Sequence, residues 1–379
     1  MKSGAISKTN RLVFLDQIKP IMIGLVIASH TILVGTLFTT GLKQIIELAP
    51  TYEAISFWFG WICNTFYMNI LFLISGYLVP SSVHRRGIEH FIKHRLLRLG
   101  LPLIISIFLL NNITPLAGLF IPNSVVFGQE LEKLPLNRIG PQWFLLVLIL
   151  FNAIYCLWAF ARKKPFLVDN TKPVPGWQSW LISALFLGAL ELIMGYFSGF
   201  WLNLKDSNFD GLGYQGMHFW TYGFLFFFGC KAASHQWLEQ IDKRLALRWL
   251  YLSLLITLAL LASNYSPLIP PLDKATFENI TPLMAFLTPL IGWGFIAATL
   301  TWSQAHEQID SHWLVKAGRD SFGAYLIHIP LLAGAMVTFY SLGIQNIWML
   351  GLGSTTIAIF LSFFASHQLR KVPTFRQII

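Results

Sequence analysis

The stretch KPIMIGLVIASH, residues 19–30, places a lysine and a histidine at the two ends of ten uncharged residues. An apolar run of this kind predicts the start of a membrane-spanning helix. The whole chain has the same character, because 55% of its 379 residues are hydrophobic and 12% are charged. Soluble domains carry about 25% charged residues, so the sequence indicates an all-α integral membrane protein that crosses the bilayer many times.

Ten apolar segments approach the roughly 20 residues that a membrane-spanning helix needs. They cover residues 18–40, 54–80, 97–119, 142–161, 178–198, 216–233, 247–263, 281–301, 319–340 and 346–368. Pro102, Pro115 and Pro330 fall in the third and ninth segments and predict kinks there. We expect about ten transmembrane helices around a central cavity, in a single domain of residues 1–379 without an appended soluble domain.

The distribution of charge predicts which ends of the spans face the cytoplasm. With both termini cytoplasmic, 22 of the 27 Lys and Arg residues fall on the cytoplasmic side and 5 on the other. This bias follows the positive-inside rule, so the net charge of +10 needs no nucleic-acid partner. The longest outer loop, about residues 112–141, is rich in proline and is expected to cover an outward-facing cavity.

The sequence carries no signature of a disulfide, a metal site or a cleaved leader. Cys63, Cys156 and Cys230 each lie in or beside an apolar run, without metal-ligand spacing. The N-terminus has no small-residue cleavage site after a short apolar core. We therefore expect no metal cofactor, and we expect the first span to direct insertion into the membrane.

Lys19 and His30 share one face of the first helix. The eleven residue steps from Lys19 to His30 make about 1100° of rotation, roughly 20° past three turns, and a rise of roughly 16 Å. His30 then lies near the bilayer midplane, where ionisable groups usually face an interior cavity. Imidazole transfers protons near neutral pH. The structural alternative is a His30 that bonds to a neighbouring helix, with Lys19 snorkelling to the interface.

A cationic segment, HRRGIEHFIKHRLLRLGLPLI at residues 84–104, leads into the third span. Arg95 and Arg98 project from one helical face at the cytoplasmic surface, and guanidinium groups bind phosphate oxygens bidentately. The alternative is an ordinary loop that contacts anionic lipid. Together with His30, the pair predicts a donor whose phosphorylated head rests on the arginines and whose arm runs past Lys19. Coenzyme A has this shape.

Glu191 lies inside the fifth span, where a carboxylate is costly. One interpretation is that it pairs with His218 or His367 across the core. The alternatives are that it orients His30, or that neighbouring Ser and Thr side chains satisfy it.

Two further candidates lie at the fourth and ninth spans. Tyr325 and His328 share a helix face, and the backbone carbonyl freed by Pro330 is a candidate partner for His328. Trp143 begins the fourth span, where an aromatic residue anchors the membrane interface or lines the mouth of an acceptor site.

The sequence resembles the membrane-bound acyltransferase 3 family, and within it the branch of periplasmic glucan succinyltransferases. The resemblance runs over nearly the whole chain. It rests on five segments in the same order, FLDQIKPIMIGLVIASH (14–30), MNILFLISGYLVP (68–80), HRLLRLGLPLI (94–104), QWFLLVLIL (142–150) and SFGAYLIHIPLL (321–332). The family usually has Arg where this chain has Lys19. Lysine keeps the positive charge, but it cannot form the bidentate hydrogen bonds of a guanidinium group.

The resemblance implies an acyl-CoA-dependent O-acyltransferase of a bacterial inner membrane. Acetyl-CoA or succinyl-CoA would supply the acyl group from the cytosol, and a hydroxyl of an extracytoplasmic glycan or glycoconjugate would accept it. It implies catalytic roles for His30 and Lys19, donor binding by Arg95, Arg98, Ser75 and Tyr77, and an acceptor mouth at Trp143. From their positions in the spans, we predict that Glu191 and His328 also bind the acceptor.

Other interpretations stay open at this point. His30 acts as a general base on the acceptor hydroxyl, or it carries the acyl group itself and gives ping-pong kinetics. A different class of protein is a proton-coupled transporter or flippase of a polysaccharide precursor, with His30 and Glu191 as a proton relay. A third is a non-catalytic relative. The absence of inverted repeats and the paired arginines favour the enzyme.

Overall fold

The computed structural model describes residues 12–37, 49–116, 139–162, 172–201, 219–264, 282–307 and 312–378, and all regular secondary structure in these ranges is helical. The helices are α1 (Val13–Leu37), α2 (Pro50–Asn64), α3 (Tyr67–Arg86), α4 (Ile88–Arg95), α5 (Leu101–Ile105), α6 (Asn111–Leu116), α7 (Trp143–Arg162), α8 (Trp177–Trp201), α9 (Phe219–His235), α10 (Lys243–Asn264), α11 (Pro282–Ala305), α12 (His312–Ser341), α13 (Ile347–Leu369) and α14 (Pro373–Ile378). Short 3-10 turns at Gly140–Gln142 and Trp237–Glu239 precede α7 and follow α9. Two π-helical segments, Leu96–Gly100 and Ser106–Leu110, connect α4, α5 and α6 into one continuous helical segment.

The helices confirm an all-α protein that crosses the membrane several times. Within the described ranges, eight helical stretches are long and apolar enough to span a bilayer. Helices α8 and α9 form where the sequence predicts the fifth and sixth spans, so each predicted span has a helix. The cytoplasmic location of both termini stays a prediction. Residues 117–138 of the proline-rich outer loop lie outside the described part of the chain.

The second predicted span, residues 54–80, is divided into α2 and α3. At the break, the Thr65 hydroxyl donates to the carbonyl of Ile62 at 2.8 Å, and the Asn69 side-chain amide donates to the carbonyl of Thr65 at 2.6 Å. Side-chain bonds to nearby carbonyls compete with the regular helical pattern. Asn64 and Thr65 are polar, but the average hydropathy of the stretch stays high, which is why hydropathy alone does not mark the break.

Close helix packing sets the positions of α1 and α3. Pro20 has no N–H, so the carbonyl of Asp16 loses its α-helical partner, and Gly318 of α12 approaches that carbonyl so closely that a Cβ would overlap it. In the same way, Gly76 of α3 lies against the backbone of Phe226 in α9. The first of these contacts aligns α1 with α12 and thereby sets the relative position of the histidines that they carry.

Candidate active site

Helices α1 and α12 bring His30 and His328 together. Their ring centroids are 5.0 Å apart and the rings meet edge to face, with an interplanar angle of 69°. His328 is fully buried, whereas His30 keeps an intermediate exposure. The sequence predicts a catalytic role for His30 and an acceptor-side role for His328, and the structure places the two side chains in one site.

The hydrogen bonds of the two rings define which nitrogen of each is basic. Nδ1 of His30 lies 2.7 Å from the carbonyl oxygen of Val26, and Nδ1 of His328 lies 2.6 Å from that of Tyr325. A carbonyl oxygen only accepts, so each Nδ1 donates and each neutral ring carries its lone pair on Nε2. Among the described residues, Nε2 of His328 is buried without a partner. Nε2 is therefore the nitrogen of each neutral ring that can accept a substrate proton.

The turn at Gly140–Gln142 attaches the start of α7 to the histidine pair. The Tyr325 hydroxyl donates to the carbonyl of Pro141, and the rings of Tyr325 and His328 stack at 5.7 Å. Trp143, the next residue after the turn, is partly exposed and stacks on Tyr222 at 5.3 Å. The predicted acceptor residue Trp143 therefore lies next to the segment that contacts Tyr325.

The partner of the carbonyl freed by Pro330 differs from the one that the sequence suggested. Pro330 lacks the N–H that would bond to the carbonyl of Leu326. Gln142 supplies the donor instead, with its Nε2 atom 3.3 Å from that oxygen, while His328 bonds to Tyr325. The Oε1 atom of Gln142 is buried without a partner among the described residues. Sequence reasoning missed Gln142, because its role depends on a contact between two distant helices.

Glu191 is 1% exposed and accepts a hydrogen bond from the Thr221 hydroxyl. Thr221 is thus one of the Ser and Thr neighbours that the sequence suggested as partners. His367 bonds to the Asp320 carboxylate at 3.1 Å instead, and His218 lies outside the described residues. Because Thr221 precedes Tyr222, on which Trp143 stacks, Glu191 lies at the same end of α9 as the predicted acceptor residue.

Lys19 lies at the other end of α1 from His30. Its Nζ atom is 2.8 Å from a carboxylate oxygen of Asp16, one turn away in the same helix. The helical path from Lys19 to His30 is unbroken, so the predicted shared face and the rise of roughly 16 Å hold. The structure does not bring Lys19 to the histidine pair.

Arg95 and Arg98 lie where α4 passes into the first π segment. Pro102 has no N–H for the carbonyl of Arg98, which favours the wider π turn at this point. The Arg95 guanidinium lies over the Phe91 ring, with its central carbon 5.1 Å from the ring centroid. Arg98 is close enough to Arg86 and Arg370 for their charges to interact. The predicted pair is therefore part of a larger cluster of arginines.

Arg370 is a member of this cluster that sequence reasoning missed. Its guanidinium donates to the buried carboxylate of Asp320 at 2.6 Å, and the same carboxylate bonds to His367. The carboxylate thus fixes Arg370 beside Arg98. The sequence gives one indication of it, the cationic segment HQLRK at residues 367–371, where α13 ends. Such segments commonly flank membrane spans on the cytoplasmic side, so this one does not single out Arg370.

Ser75 and Tyr77 flank Gly76 on α3. The Tyr77 hydroxyl donates to the carboxylate of Glu239, in the 3-10 turn after α9, and Gly76 packs against α9. This three-residue element therefore holds α3 against α9. A role of Ser75 and Tyr77 in donor binding stays a prediction.

Two helices give the distance between the histidine pair and the arginine cluster. In α7, Trp143 lies at the histidine end, and Cys156, a buried thiol close to Arg95, is 13 residues further on, a rise of about 20 Å. In α13, Thr355 bonds to Thr31 beside His30, and Arg370, which caps the end of this helix, is 15 residues further on, a rise of about 22 Å. The two clusters are thus about 20 Å apart along the helix axes.

Comparison with known families gives the class of protein. The sequence model of the acyltransferase 3 family, described as an acyltransferase domain, matches residues 12–367. The chain belongs to the acyltransferase 3 family. It is therefore a membrane acyltransferase with several membrane-spanning helices, which supports the enzyme over the transporter. No curated protein and no solved structure gives a significant match.

The described residues of this acyltransferase contain no cluster of three or more His, Cys, Asp or Glu side chains placed to hold a metal ion. Cys63, Cys156 and Cys230 are buried free thiols. The polar groups available for chemistry in the candidate active site are the two histidines and the side chains around them.

Proposed function

We propose that this acyltransferase moves an acetyl or succinyl group from cytosolic acyl-CoA to a hydroxyl of an extracytoplasmic glycan or glycoconjugate, in a bacterial inner membrane. The observation that carries the proposal is the contact between His30 and His328, both with Nδ1 fixed by a backbone carbonyl. A basic Nε2 held in one orientation inside a membrane protein is suited to proton transfer.

In the proposed reaction, Nε2 of His30 takes the proton of the acceptor hydroxyl. The oxygen attacks the thioester carbonyl carbon, and the resulting tetrahedral species collapses with cleavage of the C–S bond. The imidazolium of His30 then returns the proton to the departing CoA thiolate. The step leaves an ester and free CoA, and needs no metal or redox partner.

The acceptor is proposed to bind at the end of α7 and α12. Trp143 offers an aromatic face on which a sugar ring can stack, and Nε2 of His328 accepts a hydrogen bond from a sugar hydroxyl. Glu191 supports this side of the site through Thr221, which holds its carboxylate next to Tyr222.

The donor is proposed to bind with its phosphates on Arg95 and Arg98. Several guanidinium groups held close together repel one another, and an anion bound between them removes that repulsion. The distance of about 20 Å between the arginine cluster and the histidine pair suits an extended arm that ends in the thioester. Ser75 and Tyr77 are proposed to contact this arm, and Lys19 to contribute positive charge along its path.

The test is turnover of radiolabelled acetyl-CoA and succinyl-CoA by the purified protein in detergent. We expect slow consumption of one donor, with the KM for that donor raised at least tenfold by Arg95→Ala. Lys93→Ala, which removes an exposed cation two residues away, is the matched control and should behave as wild type. If wild type neither binds nor consumes either donor, or if Arg95→Ala and Lys93→Ala have equal effects, the proposed donor site is wrong.

A further inference from the structure

A cavity of about 260 Å³ lies outside the candidate active site. Its walls come from α3, α8, α9 and α11 and from the 3-10 turn that follows α9. The residues proposed above for catalysis, donor binding and acceptor binding do not line it. The cavity is therefore a separate feature of the helical bundle.

Aromatic rings form much of the cavity wall. The rings of Trp180 and Trp293 lie 5.9 Å apart, and those of Phe228 and Trp237 lie 5.7 Å apart. Aliphatic side chains such as Leu300 complete the wall. A surface of this kind favours hydrocarbon, because apolar atoms gain free energy when they leave water. The volume is near the lower limit of ligand pockets, roughly 300 Å³, which favours a single chain over a two-chain lipid or a whole coenzyme.

Trp293 adds a polar feature to this apolar wall. It is only 7% exposed, and its indole N–H is buried without a partner among the described residues. Trp237 differs, since its indole N–H donates to the carbonyl of Lys172 at 3.0 Å. An indole nitrogen only donates, and a buried donor without an acceptor is unfavourable. A ligand oxygen in the cavity would satisfy it.

Lys231 places a positive charge at the cavity. It is an exposed residue of the cavity lining, and its ammonium lies 5.9 Å from the centroid of the Trp237 ring. Among the residues that the structure describes, none that lines the cavity is Asp or Glu. A basic residue at an apolar pocket between membrane helices is typical of sites that bind anionic lipid headgroups.

We propose that this cavity binds a single-chain anionic amphiphile, a fatty acid drawn from the membrane. The hydrocarbon chain lies along the aromatic and aliphatic wall. The carboxylate provides two acceptor oxygens, which can bind the Lys231 ammonium and the Trp293 indole N–H of the lining. The proposal is independent of acyl-CoA turnover, because none of its residues belongs to the proposed donor or acceptor sites.

Tryptophan fluorescence tests the proposal directly, because Trp180, Trp237 and Trp293 line the cavity. The probe is 11-bromoundecanoic acid, whose bromine quenches nearby indoles, added to the full-length protein in detergent. We expect saturable quenching by wild type. Ala297→Phe, which places a ring in the cavity lining, should weaken binding at least tenfold. Ala298→Phe is the matched control, because Ala298 is the next residue and does not line the cavity. This variant should bind the probe as wild type does.

The charge is tested with Lys231→Gln and with the neutral probe 11-bromoundecan-1-ol. We expect the variant to bind the acid about tenfold more weakly and the alcohol as tightly as wild type does. Quenching that does not saturate, or equal quenching of the Ala297→Phe and Ala298→Phe variants, would overturn the proposed site. Equal loss of acid and alcohol binding in Lys231→Gln would overturn the anionic specificity.

Discussion

His30 and His328 meet edge to face with ring centroids 5.0 Å apart, although they come from the first and the twelfth helix of the described chain. Each ring is oriented by a carbonyl of its own helix, Val26 in one case and Tyr325 in the other. The relative position of the rings therefore depends on how α1 packs on α12, where Gly318 approaches the carbonyl of Asp16. A change in that packing alters the site without altering either histidine.

Replacement of His328 should affect the chemistry more than donor binding. His328→Asn removes the basic Nε2 that is proposed to hold the acceptor hydroxyl, and we expect kcat to fall about 10²-fold, at the lower end of the range for a proton-transfer group. The dissociation constant for CoA should be unchanged, because the arginine cluster is about 20 Å away. Turnover and equilibrium binding of CoA measure the two quantities. Equal losses of turnover and of CoA affinity, or no loss of either, would contradict the role of His328 in holding the acceptor hydroxyl.

Arg370 should contribute to donor affinity. Arg370→Ala removes a guanidinium that Asp320 holds beside Arg98, and we expect the KM for acyl-CoA to rise about tenfold with kcat nearly unchanged, the result for an interaction made equally in ground and transition states. Asp320→Asn should give a smaller rise, because Arg370 keeps its charge but loses its fixed position. Steady-state kinetics measure both effects.

The control for Arg370 is its exposed neighbour Lys371. Lys371→Ala removes the same charge from the same end of α13, so its KM should stay at the wild-type value. If the two alanine variants raise KM equally, the arginine cluster acts through general charge and Arg370 has no specific contact with the donor.

The Ser-Gly-Tyr element of α3 should be sensitive to volume at its glycine. Gly76→Ala places a methyl group against the backbone of Phe226 in α9, and overpacking of this kind costs about 1–3 kcal/mol. We expect a lower Tm in detergent. Gly334→Ala is the control, since nothing lies within 4 Å of a Cβ at that position in α12. A Tm for Gly76→Ala equal to that of the control would show that α3 and α9 are further apart than described.

The orientation in the membrane can be measured by cysteine labelling of intact cells with a membrane-impermeant maleimide. The charge bias predicts that Arg85→Cys and Lys371→Cys face the cytoplasm and stay unlabelled until the cells are opened. Lys133→Cys, in the predicted outer loop, should be labelled in intact cells. Labelling of Lys371→Cys in intact cells would reverse the predicted position of the C-terminus.

The sequence predicted the helical elements well, because hydropathy is a local property. Each of the ten apolar segments coincides with a helix, and the period of 3.6 residues placed Lys19 and His30 on one face. The break between α2 and α3 was not predicted, since it depends on side-chain bonds of Thr65 and Asn69 within a stretch whose average hydropathy stays high.

The candidate site was predicted in part. His30 and Arg98 follow from spacing and from the family resemblance. The partners that complete their surroundings, His328 and Arg370, lie 298 and 272 residues further along the chain. Which helices become neighbours is decided by packing contacts such as the one at Gly318. Neither periodicity nor composition records those contacts, so the two-histidine arrangement was visible only in the structure.

The most direct test of the proposed chemistry compares turnover of the labelled donor by wild type, His30→Ala and His90→Ala. His90 is an exposed histidine at the start of α4, and its replacement should leave turnover unchanged. If His30 is the base or the acyl carrier, His30→Ala loses at least 10²-fold in turnover while CoA binding persists. Turnover by His30→Ala at the wild-type rate would contradict the central role of His30.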